Sequence, residues 1–346
     1  MVKVMIIGAS LAHHFEPSQS NARRTTNGFS FRKTTPYLTE FILNSRGMKL
    51  FTCNWVPKDC EPKALIFLCH GYAMECSMSM KDAGMRLAKS GFGVYGIDYE
   101  GHGKSEGLQG YVNSFDALVD DCFDHYSKIS ERKENKKKMR ILMGESMGGA
   151  VVLLLHRKKP EFWDGAVLIA PMCKIADDLR PHPMVISVLT KLCNFIPTWK
   201  IVPTQDIVDS AFRDPEVRKE IRNNPHCYKG KPRLQTAHQL LTVSMDLEQR
   251  LEEVTLPFFI VHGEDDIVTD PSVSKLLHEK ASSIDKSFKL YPGMWHSLSY
   301  GEFPENRDIV FSDIVMWLKE KISMGNSRLE RQQKQANDQI LPKMSS

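Results

Sequence analysis

The chain has 346 residues, 42% hydrophobic and 25% charged, with a formal net charge of +4. This is the composition of a soluble globular chain, long enough for a large core plus an elaboration. The charge is small for the length and no basic helix is interleaved with aromatics, which argues against nucleic acid as a partner. The densest basic run, Arg132-Lys133 with Lys136-Lys137-Lys138, is interrupted by Glu131 and Glu134 and reads as a solvated loop. No apolar run reaches transmembrane length. The segment Met1 to Ala12 is short for a signal peptide and polar residues follow it. The 8 cysteines are scattered, with no C-x-x-C. They read as reduced thiols of a cytoplasmic protein, not as a disulfide framework.

Residues up to about Pro36 are rich in Ser, Asn, Arg and Thr and are expected to be disordered. Leu38 to Leu43 and Met48 to Trp55 predict two strands joined at Ser45-Arg46-Gly47, an antiparallel hairpin. Ala64 to Cys69 is a continuous apolar run, as in a strand buried on both faces of a mostly parallel sheet. A helix over Ala83 to Ala88, a strand over Gly93 to Asp98 and a helix over Phe115 to Ile129 follow. Asp164 to Pro171 predicts one more buried strand. From Met172 to about Gln249 the strand rhythm stops, and proline-punctuated helical segments take over. It resumes with a strand over Leu256 to Gly263, a helix over Ser272 to Ala281, a short strand over Phe288 to Tyr291 and a closing helix over Ile309 to Ile322. The polar residues from Ser323 onward predict a second disordered tail.

Strand and helix thus alternate on both sides of one insertion. The expected fold is α/β: a mostly parallel, doubly wound sheet with an antiparallel N-terminal hairpin and right-handed crossovers. The expected domains are an N-terminal tail (1–36), a core (37–171 and 250–322), a helical cap or lid (172–249) and a C-terminal tail (323–346). The insertion follows the carboxyl end of the strand that stops near Pro171. Ligands of such sheets bind there, so the insertion should roof the site.

The chemistry is carried by Arg140 to Leu155, an apolar run, then Gly144-Glu145-Ser146-Met147-Gly148, then a second apolar run. G-x-S-x-G alone occurs in ordinary turns, but between a strand and a helix it puts Ser146 on a sharp elbow with its hydroxyl exposed above the sheet. Such a bend needs small flanking residues, which Gly144 and Gly148 supply, while Gly149 lets the helix approach the strand. The Met147 backbone N–H lies beside the serine and can donate to a developing oxyanion. His70-Gly71-Tyr72, after the Cys69 strand, places the Tyr72 N–H as the second donor.

A serine hydroxyl needs a base, and the base an anion. In this arrangement the chain order is Ser, acid, His. His296 follows the last strand and reads as the base. The acid lies in Gly263-Glu264-Asp265-Asp266, and the usual G-x-x-D spacing selects Asp266, with Asp265 and then Glu264 as alternatives. Among the other histidines, His102 reads as a structural loop residue because it precedes the nucleophile; His262, His125 and His156 read as packing or surface residues. Asp98 is expected to tie down the turn after its own strand. No H-E-x-x-H, zinc-spaced Cys/His set or G-x-G-x-x-G motif is present, so neither a metal nor a cofactor is expected.

His70-Gly71-Tyr72, the GHG-x-S-x-G of Asp98 to Gly107, Gly144 to Gly149, Gly263 to Asp266 and His296 together resemble the α/β-hydrolase monoacylglycerol lipase group. The likeness is greatest to its plant members, which include caffeoyl shikimate esterase and lysophospholipase-like proteins, and it runs from about Tyr37 to Ile322. Asn224-Pro225 and Tyr228 to Arg233 in the insertion share it; Ala73, where many plant members carry glycine, departs from it. The resemblance implies a serine ester hydrolase that cleaves monoacylglycerol or a similar single-chain lipid through an acyl-serine. The alternatives are a phenolic ester of the caffeoyl shikimate kind, a lysophospholipid, acyl transfer to an alcohol or, from another class, a ligand-binding receptor that keeps the triad. The apolar residues of Pro183 to Leu189, with Leu192 and Ile196, either face lipid or pack the lid onto the core. The first use would give peripheral membrane contact through the cap.

Overall fold

The computed structural model describes residues 37–174, 182–202 and 206–325 together with Leu329. The expected tail over 1–36, the C-terminal tail beyond 325 apart from Leu329, and parts of the insertion (175–181 and 203–205) lie outside the described residues.

Eight strands form one sheet in the order β1-β2-β4-β3-β5-β6-β7-β8. They are β1 (Tyr37–Leu43), β2 (Lys49–Trp55), β3 (Ala64–Cys69), β4 (Gly93–Ile97), β5 (Met139–Glu145), β6 (Gly165–Ile169), β7 (Phe258–Gly263) and β8 (Lys286–Tyr291). The pairings β1–β2 and β2–β4 are antiparallel; all others are parallel. The apolar runs explain the order. Every residue of β3, β4, β6 and β7 is buried, as central strands covered on both faces require, whereas β1 at the edge is almost wholly exposed.

Helices cover both faces, as the doubly wound expectation requires. On one side α2 (Phe115–Glu131), α3 (Met147–Lys158) and α8 (Pro271–Lys280) share a core with Phe67, Leu142 and Leu168. On the other, α1 (Lys81–Lys89) and α9 (Pro304–Ser323) pack on Ile66, Ile141 and Val261. α3 is buried from Met147 through His156, so it is the central helix under the sheet and holds the elbow at its N-terminus rigidly.

The insertion between β6 and β7 contributes α4 (Pro183–Cys193), α5 (Ile207–Ala211), α6 (Pro215–Asn223) and α7 (Leu234–Glu248). Aspartates start several helices: the Asp214 carboxylate accepts from the Glu216 amide ahead of α6, and Asp270 from that of Ser272 ahead of α8. Each is followed by a proline at the first helical position, where its fixed φ suits the helix and its missing N–H costs nothing. The α4 segment is split along its length. Leu189, Leu192 and Ile196 pack on Leu234 and Ala237 of α7, while Met184 and Val188 face solvent.

Candidate active site

Four loops converge at the carboxyl ends of β3, β5, β7 and β8. Ser146 stands between β5 and α3 with φ 56° and ψ −120°. That is a left-handed conformation uncommon for any side chain but glycine, and it costs on the order of 1–3 kcal/mol. The surroundings hold it there. The Ser146 amide donates to the Ile169 carbonyl (3.0 Å), and its own carbonyl accepts from Gly149 (2.9 Å) and Met172 (2.9 Å). A Cβ at Gly144 would collide with the Gly148 carbonyl oxygen, and one at Gly148 with that of Cys69. A Cβ at Gly149 would collide with the Pro171 ring. Strand, elbow and helix therefore touch through bare backbone.

Tyr72 and Met147 flank the serine from two directions. Met147 is the first residue of α3, where a helix amide has no partner within the helix. The loop after β3 runs beside the elbow: a Cβ on Gly71 would lie 3.6 Å from Ser146 Cβ. His70 behind this loop is fully buried, stacks on Tyr99 with ring centroids 3.9 Å apart, and is pushed down to a pKa of about 3 by burial, with His102 adding to the effect. It is a neutral wedge under the loop. In the same loop Ala73 holds φ 65°, a glycine-like conformation. The Ala73 carbonyl accepts from the Tyr228 amide of the insertion at 2.9 Å.

Asp266 and His296 meet. Asp266 Oδ2 lies 2.7 Å from His296 Nδ1, and both residues are buried. Asp265 and Glu264 are exposed, and of the three acids Asp266 is the one in contact with His296. The Asp266 carboxylate is heavily solvated by protein. Oδ1 accepts from the amides of Val268 (2.7 Å) and Thr269 (3.0 Å), and Oδ2 also from the Thr269 hydroxyl (2.9 Å). Burial alone would raise its pKa, but the charge of His296 and hydrogen bonds from His262 and His296 hold it well below the usual carboxylate range. On His296, burial disfavours charge, but the Asp266 charge and hydrogen bond outweigh it, with Glu145 adding, so its pKa is raised.

His296, Ser146 and Tyr72 line one cavity of about 80 Å³, with Met74, Met80, Val208 and Phe212 among its apolar walls. An adjoining cavity of about 250 Å³ shares Tyr72, Ala73, Ile207, Val208 and Tyr228 with it and adds Lys229 and Lys231. Residues of the insertion therefore line both cavities. It is also tied to the histidine loop. The Ser297 amide donates to the Ala211 carbonyl (3.0 Å), the Asp214 amide to that of Gly301 (2.9 Å), and the Tyr300 hydroxyl to Glu220 (2.7 Å).

The other readings can be placed as well. Asp98 does tie its turn: its carboxylate accepts from the amides of Cys76 (2.7 Å) and Lys104 (2.9 Å), and burial pushes it up to about 7. His102 and His125 are buried packing residues, and His156 Nε2 accepts from the Thr255 amide at 3.1 Å. His262 is more than packing, because its Nε2 lies 2.9 Å from Asp266 Oδ2. Thr269, which no motif singled out, contacts both Asp266 and His296 Nδ1 (3.1 Å). Glu145, the first x of G-x-S-x-G, carries no signal of its own in the motif, yet its carboxylate accepts from the Ser299 hydroxyl at 2.7 Å and so joins β5 to the histidine loop. The G-x-x-D spacing could have pointed to His262, which stands one residue before it.

Known proteins share this fold and much of this sequence. Residues 60–302 match the family described as Serine aminopeptidase, S33. The chain is 35% identical over 299 residues to caffeoylshikimate esterase of Arabidopsis thaliana, covering 84% of this chain and 90% of that one. It is 31% identical to the monoglyceride lipase of Homo sapiens, covering 88% and 96%. A solved soluble variant of the Saccharomyces cerevisiae monoglyceride lipase, in complex with a substrate analog, shares the fold with a TM-score of 0.72 at 20% identity, over 85% of this chain and 98% of that one. This chain belongs to the Serine aminopeptidase, S33 family, in the α/β-hydrolase monoacylglycerol lipase group, and is an ester hydrolase.

Proposed function

We propose that the chain hydrolyses monoacylglycerol to glycerol and a fatty acid through an acyl-serine formed on Ser146. One observation carries the reading: Ser146 and His296 open into the same largely apolar cavity, and His296 is held from behind by Asp266. His296 Nε2 takes the hydroxyl proton as Ser146 Oγ attacks the ester carbonyl. The amides of Tyr72 and Met147 hold the oxyanion. The tetrahedral adduct collapses, the ester C–O bond breaks, and His296 passes its proton to the leaving glycerol. Water then attacks the acyl-serine, with His296 again taking and returning a proton, and the fatty acid leaves. Asp266 keeps Nδ1 protonated and steadies the imidazolium.

Residues 172–249 act as the cap in this reading. Met184, Val188, Phe195, Trp199 and Ile201 in it are exposed, with Phe195 82% and Trp199 57% accessible. Large apolar side chains clustered at a surface mark an interaction face. They are the surface by which the cap rests on a lipid layer, and no helix among the described residues is long and apolar enough to cross one. The eight free cysteines, seven of them buried, fit a reducing, cytoplasmic setting.

A phenolic ester is the second reading. It is favoured by the 35% identity to caffeoylshikimate esterase and by the larger cavity, where Lys229 and Lys231 could meet an acidic leaving group. Purified wild type and Ser146→Ala are compared on monooleoylglycerol and caffeoyl shikimate. Release of fatty acid by wild type alone supports the first reading. Turnover of caffeoyl shikimate alone transfers the mechanism to the second, and equal turnover by the variant removes Ser146 from the chemistry. Phe195→Ser/Trp199→Ser should weaken flotation with phosphatidylcholine vesicles while leaving hydrolysis of a water-soluble short-chain ester intact.

A further inference from the structure

His262 and Ser274 are both fully buried. His262 Nε2 lies 2.9 Å from Asp266 Oδ2 and 2.9 Å from the Thr269 carbonyl oxygen. Both are acceptors, so Nε2 carries a proton and donates. His262 Nδ1 lies 2.7 Å from Ser274 Oγ, whose hydroxyl proton it accepts. One donating and one accepting ring nitrogen account for these contacts, with the Nε2 proton shared between the two acceptors. The same carboxylate oxygen receives His296 Nδ1 from a different loop at 2.7 Å. One acid oxygen thus holds two imidazoles, and only His296 reaches the cavity.

We infer that His262 is a positioning residue for the ester hydrolysis: anchored by Ser274, it donates to Asp266 Oδ2 and fixes the carboxylate in the orientation that receives His296. This rests on the reading of Ser146, Asp266 and His296 as the triad. Two consequences follow from the chemistry. The carboxylate cannot turn away from His296 without abandoning a buried donor, which is costly. The N–H dipole also spreads the acid's charge, so that less of it falls on His296. Removing the donor concentrates that charge and raises the proton affinity of His296 further. The other titratable groups around His296 are Glu145 at the end of β5 and His70 across the cavity; Arg213, Glu220 and the buried Glu302 contact its loop.

The test uses the full chain and a water-soluble short-chain ester, with His262→Leu, His262→Gln, His262→Asn and Asp266→Asn. The glutamine amide reaches the place of Nε2, whereas the asparagine amide reaches only that of Nδ1. The expected result for leucine is a fall in kcat of about ten- to a hundredfold, the size expected for one lost hydrogen bond to a charge. KM should stay near wild type, and the acid limb of kcat/KM should move to higher pH. Glutamine should recover most of the activity and asparagine little of it. If leucine does not fold, the glutamine and asparagine pair decides. Equal impairment in glutamine and asparagine with an unmoved acid limb, or wild-type kinetics in leucine, overturns the inference. Asp266→Asn separates the levels. Wild-type activity there sinks the triad itself, whereas an inactive Asp266→Asn beside an unaffected His262→Leu sinks the positioning role alone.

Discussion

Asp266 and His296, thirty positions apart in the chain, share a 2.7 Å hydrogen bond between Oδ2 and Nδ1 inside the protein. The bond has consequences for both activity and stability. His296 must be neutral to take the serine proton, and its pKa is raised by Asp266 and Glu145 against the opposing effect of burial. Hydrolysis should therefore rise with pH through an apparent pKa above the ordinary histidine value of about 6.5. In stability the signs differ. The raised His296 contributes stabilisation that is present below its unfolded pKa and is lost as pH climbs through the folded one. The depressed Asp266 contributes stabilisation that is present above its unfolded value, near 3.8, and is lost as pH falls through the folded one. A pH series of denaturant midpoints on wild type and Asp266→Asn reads both, and the variant should lose the acid-side slope.

Ser146→Gly should remove hydrolysis yet yield a more stable protein. Glycine relieves the left-handed backbone at φ 56°, and the greater freedom of its unfolded chain takes back part of the gain. The expected net change is about 1 kcal/mol by chemical denaturation. An unchanged or lower midpoint would show that the elbow is not strained.

Gly148→Ala should fail in the opposite way. The added methyl meets the carbonyl oxygens of Cys69 and His70, both in backbone, so neither can swing aside. Overpacking of this kind costs about 1–3 kcal/mol. The displaced start of α3 carries the Met147 amide with it, and a lost oxyanion donor lowers kcat by about a hundredfold or more. Steady-state kinetics with unchanged KM would distinguish this from loss of substrate binding.

Much of this site could be read from the chain. Ser146 is marked by G-x-S-x-G, Asp266 by its G-x-x-D spacing and His296 by its place after the last strand, and the runs of β3, β5, β6 and β7 are continuous because those strands are covered on both faces. Edges were harder. β8 begins at Lys286 and α9 at Pro304, earlier than expected, because both open with polar residues that carry no periodicity. The link from His262 to Asp266 was hidden for another reason. A histidine at the end of a buried strand looks like core, and its partner is chosen by how the following loop folds back. Glu75 carries no sequence signal, since no motif marks a carboxylate that binds its own next turn.

Glu75→Ala should therefore reach the substrate as well as the fold. The fully buried carboxylate accepts from the amides of Ser77 (2.6 Å) and Met78 (2.8 Å), and also from Asn224 Nδ2 in the insertion (3.4 Å). Its loss leaves buried donors without partners, at roughly 1–3 kcal/mol for each group stranded. A lower denaturation midpoint together with a higher KM is expected. A fall in stability with KM untouched would mean that this contact does not shape the cavity.

Ala211, Asp214 and Glu220 hold the segment that carries His296, so this part of the insertion and the histidine form one mechanical unit. Anyone building chimaeras from this chain and its relatives would have to transplant residues 293–302 along with the helices above them. Exchanging the helices alone would leave the imidazole without its scaffold.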